Sequence, residues 1–122
     1  MPQFVLLYTT WPDAEKAAAA GKAAIEARLA ACANVFAPIR SIYRWEGKVE
    51  QAEEVPMTLK TTGAAAGPLR DLLVGLHPYQ LPCILALPIE PEQSHPDFLA
   101  WIQVETSSST SPGATGRRNT EG

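Results

Sequence analysis

The run Phe4-Val-Leu-Leu-Tyr8 is apolar without interruption, the pattern of a strand covered on both faces. Thr9 to Pro12 breaks that run. Asp13 then offers an N-cap, and Glu15 places negative charge where a helix dipole favours it. The alanine-rich segment that follows predicts a helix reaching Ala31. Its apolar face combines the small residues Ala17, Gly21 and Ala24 with Ile25 and Leu29, so it is expected to lie close against a sheet. Residues 32–40 read as extended chain interrupted at Pro38.

Residues 41–62 predict a long hairpin. Ser41, Tyr43 and Trp45 alternate with Ile42 and Arg44, and Val55, Met57 and Leu59 alternate with Glu54, Thr58 and Lys60. Glu46-Gly47 lies between them, where glycine accepts the positive φ that closes a turn. Glutamate suits a type I′ turn poorly, so a type I turn over Trp45-Glu46 with Gly47 as a bulge is expected. Pro56 falls in a run that should be central, which predicts a bulge or a locally unpaired position there. Such a ribbon exposes more apolar edge than a small domain leaves in water, and a partner subunit is expected to cover it.

Leu69, Leu72, Leu73 and Leu76 recur at helical spacing, and Pro78 stops that second helix by His77. Residues 83–87 predict a further strand ended by Pro88. Ser94 and Asp97 resemble a capping box, opening a short helix that buries Phe98, Trp101 and Ile102. His95 falls in its first turn. The order is β-α-β-β-α-β with an added C-terminal helix, which packs as a split βαβ sheet backed by two helices. The fold class is therefore α+β, with one domain over residues 1–105 and a Ser/Thr/Gly-rich tail, residues 106–122, expected to be disordered.

Composition narrows the function. A net charge of −3 supplies no basic face for nucleic acid. No stretch approaches the ~20 apolar residues that span a bilayer, and no signal peptide is evident. Two cysteines, Cys32 and Cys83, are too few for a disulfide scaffold, which points to a reduced, cytoplasmic setting. The chain holds no nucleophile–base–orienter set, phosphate loop or zinc motif, so no enzyme activity is expected. His77 is the candidate metal ligand, because neutral imidazole binds copper, zinc or nickel. The competing reading is that His77 simply ends the second helix. Cys32 and Cys83 are either soft ligands or small buried hydrophobes.

The segments Trp45-Glu-Gly-Lys48, Glu54-Val55, Leu59-Lys-Thr-Thr62 and His77-Pro-Tyr79, followed by Pro82 and Pro88, closely resemble the CutA divalent-cation-tolerance family. The match runs from about Phe4 to Val104. This resemblance implies a ferredoxin-like fold and a homotrimer joined through the long hairpins, on the trimer plan of the nitrogen-regulatory PII proteins. It also implies inter-subunit clefts bordered by Tyr43, Trp45, Glu54, Lys60 and Tyr79, with His77 and Cys83 nearby. Copper-binding members use a cysteine at the end of the first strand and a histidine pair before Pro-Tyr. Here those places hold Thr9 and Leu76, and His77 remains. Cys83 stands where a glutamate is common. The expected function is a trimeric, non-catalytic protein of divalent-metal tolerance that binds copper or another divalent cation. The alternative is a PII-like trimeric regulator that binds a small molecule or partner protein in the cleft.

Overall fold

In the computed structural model, residues 2–107 are described. Strand β1 (Phe4–Trp11) leads into helix α1 (Ala14–Glu26), then β2 (Cys32–Val35), β3 (Ile39–Trp45) and β4 (Lys48–Thr62). Helix α2 (Gly63–Leu76), strand β5 (Ile84–Ile89), a 3₁₀ turn (Pro91–Gln93) and helix α3 (Pro96–Glu105) complete the order. The sheet runs β2-β4-β1-β5, with every pairing antiparallel, and β3 continues along β4 beyond β2. The fold is α+β, as expected. No helix among the described residues is long and apolar enough to cross a membrane.

The pleat of β1 and β4 sorts the core. Val5, Leu7 and Trp11 face the helices together with Val55, Met57 and Leu59, and α1 and α2 close over them with Ala17, Ala20, Ala24, Leu69 and Leu73. On the opposite face α3 covers Phe4 and Ala31 with Leu99 and Ile102.

Several boundaries depart from expectation. Strand β1 continues to Trp11, because Thr9, Thr10 and Trp11 pair with Met57, Pro56 and Val55. Helix α1 ends at Glu26, five residues early, and Arg28 takes the left-handed conformation at φ 59°. Its N–H donates to the Ile25 carbonyl, and the Leu29 N–H turns back to Ala24, each over 3.0 Å. Ile25 is consequently exposed, and the buried face of α1 is Ala17, Ala20, Gly21 and Ala24. Helix α2 begins at Gly63, six residues before Leu69, capped by the Thr62 hydroxyl, which accepts the Ala65 N–H at 3.2 Å.

Glu46 and Gly47 both have positive φ, 50° and 79°, and Trp45 pairs directly with Lys48. The turn is a two-residue loop with the signs of type I′, in place of the expected bulge. No bulge interrupts β4 at Pro56 either. The Pro56 carbonyl accepts the Phe36 N–H at 2.9 Å. Its missing donor thus falls where β2 has ended and β3 has not begun, and the ladder loses little. Pro88 lies within β5 instead of ending it, on an edge strand where a missing donor is tolerated.

The N-cap of α3 is His95, whose Nδ1 accepts the Asp97 and Phe98 N–H groups at 3.2 and 3.3 Å. Ser94, expected to cap, donates its hydroxyl to the Glu90 carbonyl. Most of the expected tail, residues 108–122, lies outside the described residues. Thr106 and Ser107 close the end of α3, where the Arg28 guanidinium donates to the Val104 and Ser107 carbonyls at 2.9 and 2.7 Å.

Candidate functional site

Three consecutive residues at the end of β1 organise the site. Thr9 is fully buried; its hydroxyl donates to the Met57 carbonyl at 2.8 Å and accepts the Trp11 Nε1–H at 2.7 Å. That chain of bonds satisfies a buried indole, which strand burial alone would leave unpaired. The buried imidazole of His77 stacks on the Trp11 ring, with centroids 4.2 Å apart and planes at 29°. The Tyr79 ring is tilted against His77 with centroids 4.9 Å apart.

Both nitrogens of His77 are engaged. Nε2 lies 2.7 Å from the Thr10 carbonyl, which only accepts, so Nε2 carries the hydrogen. Nδ1 then accepts the Tyr79 N–H at 3.2 Å. In this geometry His77 offers no lone pair to an ion. It ends α2 and pins that end to β1, with its own N–H donating to the Leu73 carbonyl at 2.9 Å.

Thr10 connects three of the predicted residues. Its carbonyl receives His77, its N–H donates to the Cys83 carbonyl at 3.4 Å, and its hydroxyl donates to Glu54 Oε2 at 3.4 Å. Glu54 in turn acts on Tyr79. The phenol of Tyr79 is held above its ordinary range by partial burial first, then by the negative charge of Glu54, with Tyr43 and Asp13 adding to it. Tyr43, Glu54, His77, Tyr79 and Cys83 thus border one region around the end of β1. Tyr79 is exposed on the solvent side of this region.

Within one chain, two expected members lie apart from this region. Trp45 sits at the turn of the β3–β4 ribbon, opposite Lys48 and exposed. Lys60 is paired with Cys32 across the β2–β4 ladder, and its amine contacts Cys32, Asn34 and the face of Phe98. At the place of the second histidine, Leu76 is exposed. Among the described residues no three His, Cys, Asp or Glu side chains converge on a point that would hold a metal ion. The donors that the described residues of a single chain bring together therefore do not fit a resident metal.

Trp11 and Thr10 are absent from the residues expected at the site. The signal for them was Trp11-Pro12 itself: a proline directly after a large aromatic ends a strand and leaves that aromatic at its buried end.

Comparison with known proteins supplies the class. The model of the CutA1 divalent ion tolerance protein family matches residues 5–105, and the chain belongs to that family. It is 43% identical over 96 residues to the divalent-cation tolerance protein CutA of Archaeoglobus fulgidus, covering 79% of this chain and 91% of that one. It is 37% identical to Protein CutA of Mus musculus over 87% of this chain, and spans 59% of the mouse protein. Among solved structures, CutA1 from Shewanella sp. SIB1 superposes with a TM-score of 0.82 at 35% identity, covering 88% of this chain and 98% of that one. CutA1 from Oryza sativa also gives 0.82, at 30% identity over 88% and 97% of the two chains.

Proposed function

We propose that this chain serves in tolerance to divalent cations as a non-catalytic homotrimer built on a ferredoxin-like βαββαβ frame. The names of its relatives support the tolerance role. The observation that carries the trimer is the ribbon formed by β3 and the first half of β4. Strand β1 pairs with β4 only as far as Val55, so residues 48–54 have β3 on one side and no strand on the other among the described residues. Ile42 and Val49 on that ribbon are 64% and 65% exposed, and Tyr43 and Trp45 are exposed beside them. Open edges combined with exposed apolar side chains are what neighbouring copies cover.

An ion such as copper, if held by this assembly, takes donors from more than one subunit, since His77 is occupied within its own chain. Tolerance is tested in cells that lack their own CutA-family protein and are challenged with copper. The intact chain should restore growth, and a version with a shortened ribbon should not. Equal rescue by both would overturn the link between ribbon and function.

A further inference from the structure

The face of the sheet turned away from α1 and α2 carries a second group of reactive side chains. Ala33 packs toward Gly21 of α1, so Cys32 and Asn34 on the same strand project to the opposite face. Cys32 and Lys60 are direct partners across the antiparallel ladder, which sets their Cβ atoms side by side on one face. Lys60 Nζ lies 3.7 Å from Cys32 Sγ. It also donates to Asn34 Oδ1 at 2.6 Å, and that same oxygen accepts from the thiol at 3.6 Å. The Phe98 ring of α3 stands 5.9 Å from the amine. Strand register, an amide oxygen and an aromatic face thus all hold the nitrogen against the sulfur. Cys32 is half-buried, which leaves room for a small oxidant. Helix α3 of the same chain covers this end of the face.

We propose that Cys32 and Lys60 are a peroxide-responsive pair that closes into a covalent sulfenamide. The Cys32 sulfur attacks one oxygen of hydrogen peroxide, the O–O bond breaks, and sulfur is oxidised to the sulfenic acid while the other oxygen leaves as water. The deprotonated Lys60 amine, its extra proton released to solvent base, then attacks that sulfur. The S–O bond breaks, the S–N bond forms, and the hydroxyl leaves as water with a proton from nitrogen. In sum, one thiol, one amine and one peroxide become one sulfenamide and two waters. Sulfenic acids condense with a neighbouring nitrogen in this manner. A thiol reductant reverses the bond by attacking sulfur, which frees the amine and leaves a mixed disulfide that a second thiol resolves. Closure removes a positive charge from the face and staples the edge strand β2 to β4.

The test exposes the full chain to hydrogen peroxide at mildly alkaline pH, followed by intact mass and peptide mapping. The expected product is lighter by two hydrogens, about 2 Da, through a thiol-reversible link joining Cys32 to Lys60. It should form in Cys83→Ser and be absent from Cys32→Ser and Lys60→Arg, because a guanidinium does not attack sulfur. Amine labelling of Lys60 in the unsubstituted chain should fall in step with loss of the Cys32 thiol, a readout that needs no variant. Conversion of Cys32 to sulfinic acid or an intermolecular disulfide, with Lys60 still fully labelled, would overturn the proposal.

Discussion

The imidazole of His77 donates through Nε2 to the main-chain carbonyl of Thr10 across 2.7 Å, joining residues 67 positions apart in sequence. That bond closes the end of α2 onto the end of β1, and its neighbours follow from it. The ring stacks on Trp11, and its Nδ1 accepts the Tyr79 N–H. A histidine so placed acts as a fastener.

His77→Phe keeps the aromatic stack and removes both hydrogen bonds. It leaves the buried Thr10 carbonyl without its partner, at a cost of about 1–3 kcal/mol, and frees the half-buried Tyr79 N–H. The variant should melt several degrees lower at the same chain concentration, in a calorimetric scan. Its uptake of copper in a titration should match that of the unsubstituted protein. Loss of uptake without loss of stability would instead make His77 a ligand.

Tyr79 supplies a pH signature. Its phenol is raised above the usual value of 10.0 by partial burial and by the charge of Glu54. The native state therefore holds the phenolic proton more tightly than the unfolded chain does. The stability that this contributes is complete below the ordinary tyrosine pKa and is lost as pH climbs through the raised one. Absorbance titration of tyrosinate in the folded protein should show one phenol ionising late, and Glu54→Gln should move that step to lower pH. A step that Glu54→Gln leaves in place would contradict the assignment.

Much of the frame could be read from pattern: Asp13 as a cap, the hairpin around Glu46-Gly47, and a β-α-β-β-α-β order whose second strand the structure splits into β2 and β3. The misreadings have local causes that tertiary structure overrode. Alanine carries helix propensity past Glu26, but the chain must turn there to bring Cys32 back beside Lys60, and Arg28 accepts a left-handed φ to do so. Glu46 likewise accepts a positive φ because the two-residue loop matches the twist of β3 and β4. At the site, the resemblance brought together Glu54, His77 and Tyr79 but not Thr10, whose role runs largely through its backbone N–H and C=O. Such groups leave no mark on residue type. Lys60 pairs with Cys32 across the β2–β4 ladder, a pairing that depends on register and is invisible to spacing alone.

Gly21 marks a close approach of α1 to the sheet. A Cβ there would stand 2.9 Å from Met57 Sδ and 3.1 Å from Ala33 Cβ, the latter fixed by its strand. Gly21→Ala gains up to about 1 kcal/mol in helix propensity, but overpacking typically costs about 1–3 kcal/mol. The second effect should win, lowering the melting temperature. An increase would show that the helix can move off the sheet at little cost.

Arg28 performs two tasks that substitution separates. Arg28→Gly relieves the left-handed backbone but removes the donors to Val104 and Ser107. Arg28→Ala removes the donors and keeps the strain. Hydrogen exchange at the C-terminal turn of α3 should quicken in both, and Arg28→Ala should be the less stable by roughly 1 kcal/mol. Unchanged exchange in α3 would show that the guanidinium is not its cap.

Light scattering on the purified chain at micromolar concentration bears most directly on the ribbon. The expected mass is three times 13.1 kDa, and Ile42→Lys with Val49→Lys, which places charge on the exposed apolar side chains, should drive it toward 13.1 kDa. A folded, monodisperse monomer of the unsubstituted protein would contradict the account, because the exposed ribbon would then need no neighbour.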